Sequence, residues 1–272
     1  MVADVVYETP DTTTLVFFTG NDHLDYKAGH FLTIDPHQFE ALERFTAFLE
    51  DLKSKREPPR AYSMFSAPHE KYLAVTVKEE RYASGSTKYP PLLSPLLVKR
   101  TTRGMRLVIT GFTGPYTLPD DVESKTDHVV HLCAGSGSVP NLSILKHALR
   151  FHAGIRHTFI YSNKSWDEII FRNELASLED QNRDRLRVVH TLTRESRPGM
   201  LSGRVTTELI RSLVPDLKAA LYFACGPAIS AWDKAAARNG GPAPTPRFLE
   251  SALASLKELD IPSDRITRES YG

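Results

Sequence analysis

Cysteine is almost missing. Cys133 and Cys225 are the only two in 272 residues, and each lies in an apolar run. One pair builds no disulfide framework, and lone thiols suit a reducing compartment, so a cytoplasmic location is expected. Two thiols are also too few for a plant-type iron–sulfur centre, which takes four thiolates. No metal site is expected. Net charge is nearly missing too: 34 basic and 33 acidic residues leave +1. Such a balance gives no field to hold nucleic acid or an anionic lipid surface. There is no apolar run long enough to cross a bilayer. No cleavable signal is read at the start, because "MVADVVYETPDTTTLVFF" has the pattern of two strands around a turn. Internal repeats and low-complexity tracts are lacking. What remains is a chain with 41% hydrophobic residues, enough for one large or two medium cores.

The two halves differ in texture. Up to about Leu118 the sequence is strand-like. "VADVVYE", "TTTLVFFT", "HFLTID", "AYSMFS", "YLAVTVKEE" and "MRLVIT" are rich in β-branched and aromatic residues, with Gly and Pro between them. Six short strands of this kind predict a small antiparallel six-stranded β-barrel. One segment breaks the pattern. "FEALERFTAFLEDLKSKRE" sets Leu42, Phe45, Leu49 and Leu52 at helical spacing and ends at Pro58-Pro59, which predicts an inserted amphipathic helix near 39–55. Its expected outward face carries Glu40, Glu43, Arg44, Glu50, Asp51, Lys53 and Lys55. That face reads either as a docking surface or as the outside of a cap.

The second half alternates strand and helix. "DHVVHLCAG", "RHTFIYS", "LRVVHTLT" and "ALYFACG" are strands. "NLSILKHALRFH", "DEIIFRNELASLED", "VTTELIRSLV" and a long segment ending in "LASLKEL" are helices. This is the pattern of an α/β domain with a parallel sheet. The polar stretch "LPDDVESKTD" gives a border, with domains at 1–122 and 123–272.

Four stretches carry candidate chemistry. "RAYS" puts Arg60, Tyr62 and Ser63 on a barrel strand, where a buried hydroxyl needs a partner. "AGSGSVPN" follows a buried strand and opens a helix. Gly135 and Gly137 permit a tight turn, Pro140 fits the first helical turn, and free amides there suit a pyrophosphate. Taken alone, a Gly-x-Gly turn serves a purely structural role as readily. "YSNKS" offers Ser162, Asn163 and Lys164 where an acid would bind a ribose diol, which fits a 2′-phosphate or an ordinary polar loop. "CGP", Cys225 to Pro227, sits at the carboxyl end of a strand, where ligands of open sheets bind; a cysteine there is also an ordinary buried hydrophobe.

In this order, with "GSTKY" and "GFTGPY" between them and "ESYG" at the end, the motifs resemble the ferredoxin–NADP reductase superfamily. "YSNKSWDEIIFRNEL" and "SGRVTTELI" are similar to the branch of reductase components that serve bacterial oxygenases. The resemblance implies a flavin on the barrel, FAD before FMN. Arg60 would pair with its phosphate, Tyr62 would pack on the ring, and Ser63 would lie near N5. Val77 and Lys78 would face it through their backbone, and Gly85, Ser86 and Thr87 would form a second phosphate loop. "YPPLLSP" departs from the family's direct entry into a helix there. Gly135, Ser136, Gly137 and Pro140 would hold the nicotinamide cofactor's pyrophosphate, and Ser162, Asn163 and Lys164 its ribose end, with NADPH before NADH. Cys225, Gly226 and Pro227 would meet the nicotinamide. Glu269 and Tyr271 match the acidic and aromatic C-terminal residues near the flavin. Ser63, Cys225 and Glu269 are thus the implied catalytic set.

The implied activity is an NAD(P)H oxidoreductase that passes hydride to flavin and then single electrons to a ferredoxin or an oxygenase component. Two alternatives share the motifs: a flavin reductase acting on a small acceptor such as a ferric chelate or quinone, and an electron-transfer subunit with no turnover of its own. Some branches carry an iron–sulfur domain after this point, so such a module is expected to be either absent or cut away.

Overall fold

The computed structural model describes residues 1–20, 24–82, 87 and 89–271. Two compact units divide the chain, Met1–Thr117 and Leu118–Gly272. The division falls a few residues before the border expected from composition.

The first unit holds six strands, β1 (Val2–Thr9), β2 (Thr12–Phe17), β3 (Phe31–Ile34), β4 (Arg60–Ser63), β5 (Leu73–Lys78) and β6 (Ile109–Thr113). All pairings are antiparallel, but the ladders form two three-stranded sheets, β1-β2-β5 and β4-β3-β6. A single bridge, Met64 to Val75, links them. The expected continuous six-stranded barrel is therefore not seen as one closed ladder. Both sheets face a common core that includes Leu15, Phe17, Leu32, Ile34, Met64, Val75 and Val77. The last strand begins at Ile109 rather than at Met105, because Met105 and Leu107 pack on this core from outside any ladder.

Helix α1 (Glu43–Lys53) is the inserted helix, entered through two 3-10 turns. Its buried residues are Thr46 and Leu49, while Phe48 and Leu52 are 56% and 53% exposed. Leu49 is buried and Leu42 packs on the core as expected, but Leu52 is not covered, and two of the supposed outward charges, Glu50 and Lys53, are engaged with their own unit. A short helix α2 (Ser94–Lys99) follows β5 and brings Leu97 and Val98 to the core.

The second unit opens with α3 (Val122–Lys125) and β7 (His128–Ala134), then α4 (Ser138–Phe151), β8 (Arg156–Asn163), α5 (Arg172–Gln181), β9 (Leu186–Leu192) and β10 (Leu201–Ser202). After these come α6 (Thr207–Leu213), β11 (Leu221–Pro227), α7 (Ala231–Arg238), α8 (Phe248–Glu258) and β12 (Ile266–Tyr271). The sheet order is β10-β9-β8-β7-β11-β12, and every pair is parallel. From β7 the chain winds outward through β8 and β9, then returns to place β11 on the opposite side of β7. The switch point lies between β7 and β11, where open sheets bind ligands at the carboxyl ends of the strands.

Three details depart from the sequence pattern. The long last helix is two, because Pro242, Pro244 and Pro246 separate α7 from α8. Helix α5 begins only at Arg172, after Phe171 takes a left-handed φ of 59°. The C-terminal "ESY" belongs to a strand, β12, which pairs with β11 from Tyr222 to Pro227.

Both faces of β7 are buried, as a central parallel strand requires. Val130 and Leu132 join Ile160, Tyr222, Ala224, Ile210, Leu249 and Leu256. The other face carries His131, whose ring lies 5.2 Å from Phe159 and 6.3 Å from Phe223. Burial pushes His128 and His131 down to about 4 and holds His157 well below the ordinary imidazole range, so all three are neutral in the fold.

These depressed values set a pH dependence. The unfolded chain protonates its imidazoles near 6.5, while the folded one resists until about 4. Stability therefore falls as pH drops below about 6.5, by about 1.4 kcal/mol per pH unit for each imidazole that the fold keeps neutral, His190 included, which burial also pushes down to about 4. Both tryptophans, Trp166 and Trp232, lie in this unit, so tryptophan fluorescence in urea at a series of pH values follows it alone. A stability that is level from pH 7 to pH 5 is the result that contradicts the neutral imidazoles.

Candidate functional site

At the switch point the backbone itself forms the site. Gly135 to Gly137 make one 3-10 turn between β7 and α4. Gly135 has φ +53°, and a side chain there would meet nothing within 4 Å, so its outer surface is bare backbone. Gly137 is the opposite case. A Cβ at this position would lie 2.1 Å from the Cys225 carbonyl oxygen and 2.8 Å from the Gly226 amide nitrogen. Only glycine lets the turn press onto β11. Gly226 is also confined, since a Cβ would stand 2.7 Å from the Phe248 ring. The turn leads directly into a 14-residue helix, and the Ser138 amide at its start already donates to the Gly135 and Ser136 carbonyls. A helix start after a glycine turn suits a pyrophosphate.

Side chains that the motif did not single out hold this turn. The Gly135 carbonyl sits in a triangle with the Ser138 hydroxyl at 2.9 Å and the Tyr161 hydroxyl at 2.9 Å, the two hydroxyls being 3.0 Å apart. Asn141, fully buried, donates from Nδ2 to the Gly137 carbonyl at 2.8 Å. Its Oδ1 then faces His131 Nδ1 at 2.9 Å, so Nδ1 carries the proton. Neutral His131 accepts at Nε2, 3.2 Å from His157 Nδ1, which must donate. The amide of Asn141 thus fixes the tautomers of two buried histidines. A buried asparagine directly after Pro140 was the available signal, and the residue pattern alone gave it no partner.

The remaining residues of this unit are placed as follows. Ser136 is half-buried and Pro140 is buried in the first turns of α4. Ser162 and Asn163 are not loop residues; they end β8 and are 5% and 6% exposed. Lys164 is exposed but pairs with Glu168 at 3.6 Å, and its carbonyl accepts from the Arg194 amide at 2.9 Å. Cys225, Gly226 and Pro227 belong to β11, because β12 extends the ladder to Pro227 opposite Tyr271. Cys225 is 0% exposed, and burial, reinforced by Glu269, pushes its thiol up, so it stays protonated at neutral pH. It stands opposite Glu269 in the ladder, and Tyr271 hydrogen-bonds its thiol. The Tyr271 hydroxyl also donates to Glu269 Oε2 at 3.3 Å. Cys225, Glu269 and Tyr271 are therefore one cluster, with the Cys225 thiol buried and protonated within it.

In the first unit, the pleat of β4 puts Arg60 and Tyr62 on one face. Ser63, 6% exposed, ends the strand on the other face. Tyr62 is raised above the ordinary phenol range by burial first and by Glu80 second, so it keeps its proton. Arg60 already has partners: it donates to the Pro58 carbonyl at 2.6 Å and to the Glu57 carboxylate. Val77 is buried on β5, next to Lys78, whose Nζ pairs with Asp11 at 3.2 Å. Thr87 donates to the Tyr89 carbonyl at 2.9 Å. Gly85 and Ser86 lie outside the described residues. A half-buried guanidinium and a flat phenol on one strand face suit an anionic cofactor with a planar ring. No helix among the described residues is long and apolar enough to cross a membrane.

The chain is similar to several known proteins. A family model described as oxidoreductase NAD-binding domain matches residues 132–231. The ferredoxin reductase component of 3-ketosteroid-9-alpha-monooxygenase from Rhodococcus rhodochrous is 30% identical over 99% of this chain and 64% of its own length. A component polypeptide of the 1,2-phenylacetyl-CoA epoxidase from Escherichia coli is 30% identical over 62% of this chain and 44% of its own length. This chain thus spans less than two thirds of these relatives. Among solved structures, the FAD/NAD binding domain of nitric oxide dioxygenase from Vibrio cholerae has the same fold, with a TM-score of 0.74, 20% identity and coverage of 100% and 97%. The ferredoxin-NADP+ reductase from Plasmodium falciparum with 2'P-AMP has a TM-score of 0.69, 18% identity and coverage of 99% and 94%.

The two glycines of the turn are expected to respond differently to alanine. Gly137→Ala drives a Cβ into backbone and should cost at least about 2–3 kcal/mol. Gly135→Ala meets open space and carries only the left-handed backbone penalty, roughly 1–2 kcal/mol. Urea midpoints by tryptophan fluorescence rank the pair. Equal losses, or a milder effect at Gly137, contradict the packing described.

Proposed function

Because this chain belongs to the ferredoxin–NADP reductase superfamily, we propose that it is an NAD(P)H-dependent flavoprotein oxidoreductase that hands single electrons to a separate protein acceptor. The acceptor is an oxygenase component or a ferredoxin. The observation that carries the proposal is the Gly135–Gly137 turn seated on Cys225 and Gly226 at the switch point, a backbone cradle for a nicotinamide cofactor's pyrophosphate. The acceptor class is supported by the relatives, one a reductase component of a monooxygenase and one a component of an epoxidase.

In this reading FAD, when bound, supplies two-electron uptake and one-electron release, which a nicotinamide lacks. The chain's own residues bind, orient and exclude water. Arg60 holds a flavin phosphate with the N–H groups not committed to Glu57 and Pro58. Tyr62 packs on the ring, Ser63 holds a proton near N5, and Val77 and Lys78 present backbone. Thr87, with Gly85 and Ser86, supplies the second phosphate contact. Gly135, Ser136, Gly137 and Pro140 hold the nucleotide's pyrophosphate. Cys225, Gly226 and Pro227 bound its nicotinamide end, with Glu269 and Tyr271 beside them on β12. Ser162, Asn163 and Lys164 set the ribose end.

NADPH is the preferred donor. No acid stands at the end of β8, and Lys164 is the near cation. Its pairing with Glu168 at 3.6 Å reduces its reach, so the preference is modest.

The first test is direct. The purified chain should release FAD, identified by mass, and should drive ferricyanide reduction with NADPH and with NADH. A chain that takes up no flavin and reduces no ferricyanide refutes the proposal. Two variants probe the parts. Arg60→Ala should weaken flavin affinity by roughly 1.5–3 kcal/mol, read by flavin fluorescence titration. Lys164→Glu should lower kcat/KM for NADPH about tenfold, roughly 1.4 kcal/mol, and leave NADH within a factor of about two. A parent enzyme that favours NADH by tenfold or more overturns the donor assignment.

A further inference from the structure

Glu57 was not among the residues that the sequence singled out. It is 2% exposed and lies between the inserted helix α1 and strand β4. Both carboxylate oxygens are used: Oε1 accepts from Lys53 Nζ on α1, and Oε2 accepts from Arg60 Nη2 on β4. Its backbone N–H donates to Glu50 Oε1 at 2.8 Å. Glu50 Oε1 also meets His37 Nε2 at 2.8 Å, and His37 Nδ1 meets Asp35 at 2.6 Å. Lys53 extends the network on its far side, its Nζ standing 4.6 Å from the centroid of the Tyr89 ring. The Tyr89 carbonyl in turn accepts from Thr87. One buried carboxylate thus links Arg60 and Thr87, two residues expected to meet flavin phosphates, the second through Lys53 and Tyr89.

A buried carboxylate without a partner would be costly. Paired with two cations it stays ionised, Lys53 and Arg60 outweighing the upward push of burial. The three groups together leave one net positive charge. Removing Glu57 would leave two cations close together with nothing between them, and the guanidinium fork would lose the partner that aims it.

We infer that Glu57 is a positioning residue for phosphate: it aims Arg60 and, through Lys53 and Tyr89, braces Thr87, so that the inserted helix is part of the flavin seat. This inference rests on the flavin-seat reading above. It gives α1 a role in cofactor binding in place of the docking role that its charged face suggested.

The test separates phosphate from ring. FAD and FMN carry the phosphate, and riboflavin carries the same ring without it. Kd values for all three are measured by flavin fluorescence on the parent chain, on Glu57→Gln and on Tyr89→Leu, with thermal unfolding by circular dichroism as the fold check. Glu57→Gln should weaken FAD and FMN about tenfold and leave riboflavin unchanged within a factor of about two. Tyr89→Leu removes the cation–π face and should weaken FAD by a smaller factor of about two to five, again sparing riboflavin. It keeps the inference testable if Glu57→Gln does not fold. A parent that binds FAD no better than riboflavin removes the flavin-seat reading and this inference with it. A parent that prefers FAD, with variants that keep the preference or lose all three flavins equally, overturns the role of Glu57 alone.

Discussion

The close approach of Gly137 to the Cys225 carbonyl is the constraint on which the nucleotide-binding unit depends. With no room for a Cβ, the turn after β7 is locked against β11 across the switch point. Everything nearby serves this contact. Ser138 and Tyr161 take the Gly135 carbonyl, Asn141 takes that of Gly137, and the β12 ladder fixes β11 as far as Pro227. The product is a fixed turn that leads directly into the start of α4, the end of a helix that favours an anion.

Beneath that turn the interior is unusually polar for a parallel sheet. His131, His157 and Asn141 form a chain of hydrogen bonds inside the core, and its end is the Gly137 carbonyl. The network pairs both ring nitrogens of His131 and both ends of the Asn141 amide, which favours one arrangement of them, while His157 Nε2 at its far end has no hydrogen-bond partner among the described residues. The same burial ties the fold to neutral imidazoles. The conformation of the turn and the acid sensitivity of the unit thus have one physical origin.

In the first unit the organising element is ionic. Two clusters of paired charges, Asp35–His37–Glu50 and Lys53–Glu57–Arg60, are joined where the Glu57 backbone N–H donates to the Glu50 carboxylate. This network bears on one departure in α1. Leu49 is buried and Leu42 packs on the core, as the helical spacing predicted, but Glu50 and Lys53 are engaged in these pairs and Leu52 is left outside. Apolar spacing weighs hydrophobic burial alone and does not see such pairs.

Much was legible from the sequence by itself. Strand-rich and alternating halves gave antiparallel and parallel architectures, since side-chain periodicity is a local property. The Gly-x-Gly turn, "RAYS" and "CGP" were found because glycine, a lone guanidinium and a strand-end cysteine stand out in composition. What tertiary structure alone decided are the partners. That Gly137 must be glycine follows from a carbonyl almost ninety positions away in the sequence, at Cys225. That Arg60 and Lys164 are already paired follows from Glu57 and Glu168. The six strands formed two sheets and "ESY" became β12 for the same reason: pairing depends on which strands meet, not on what each one is made of.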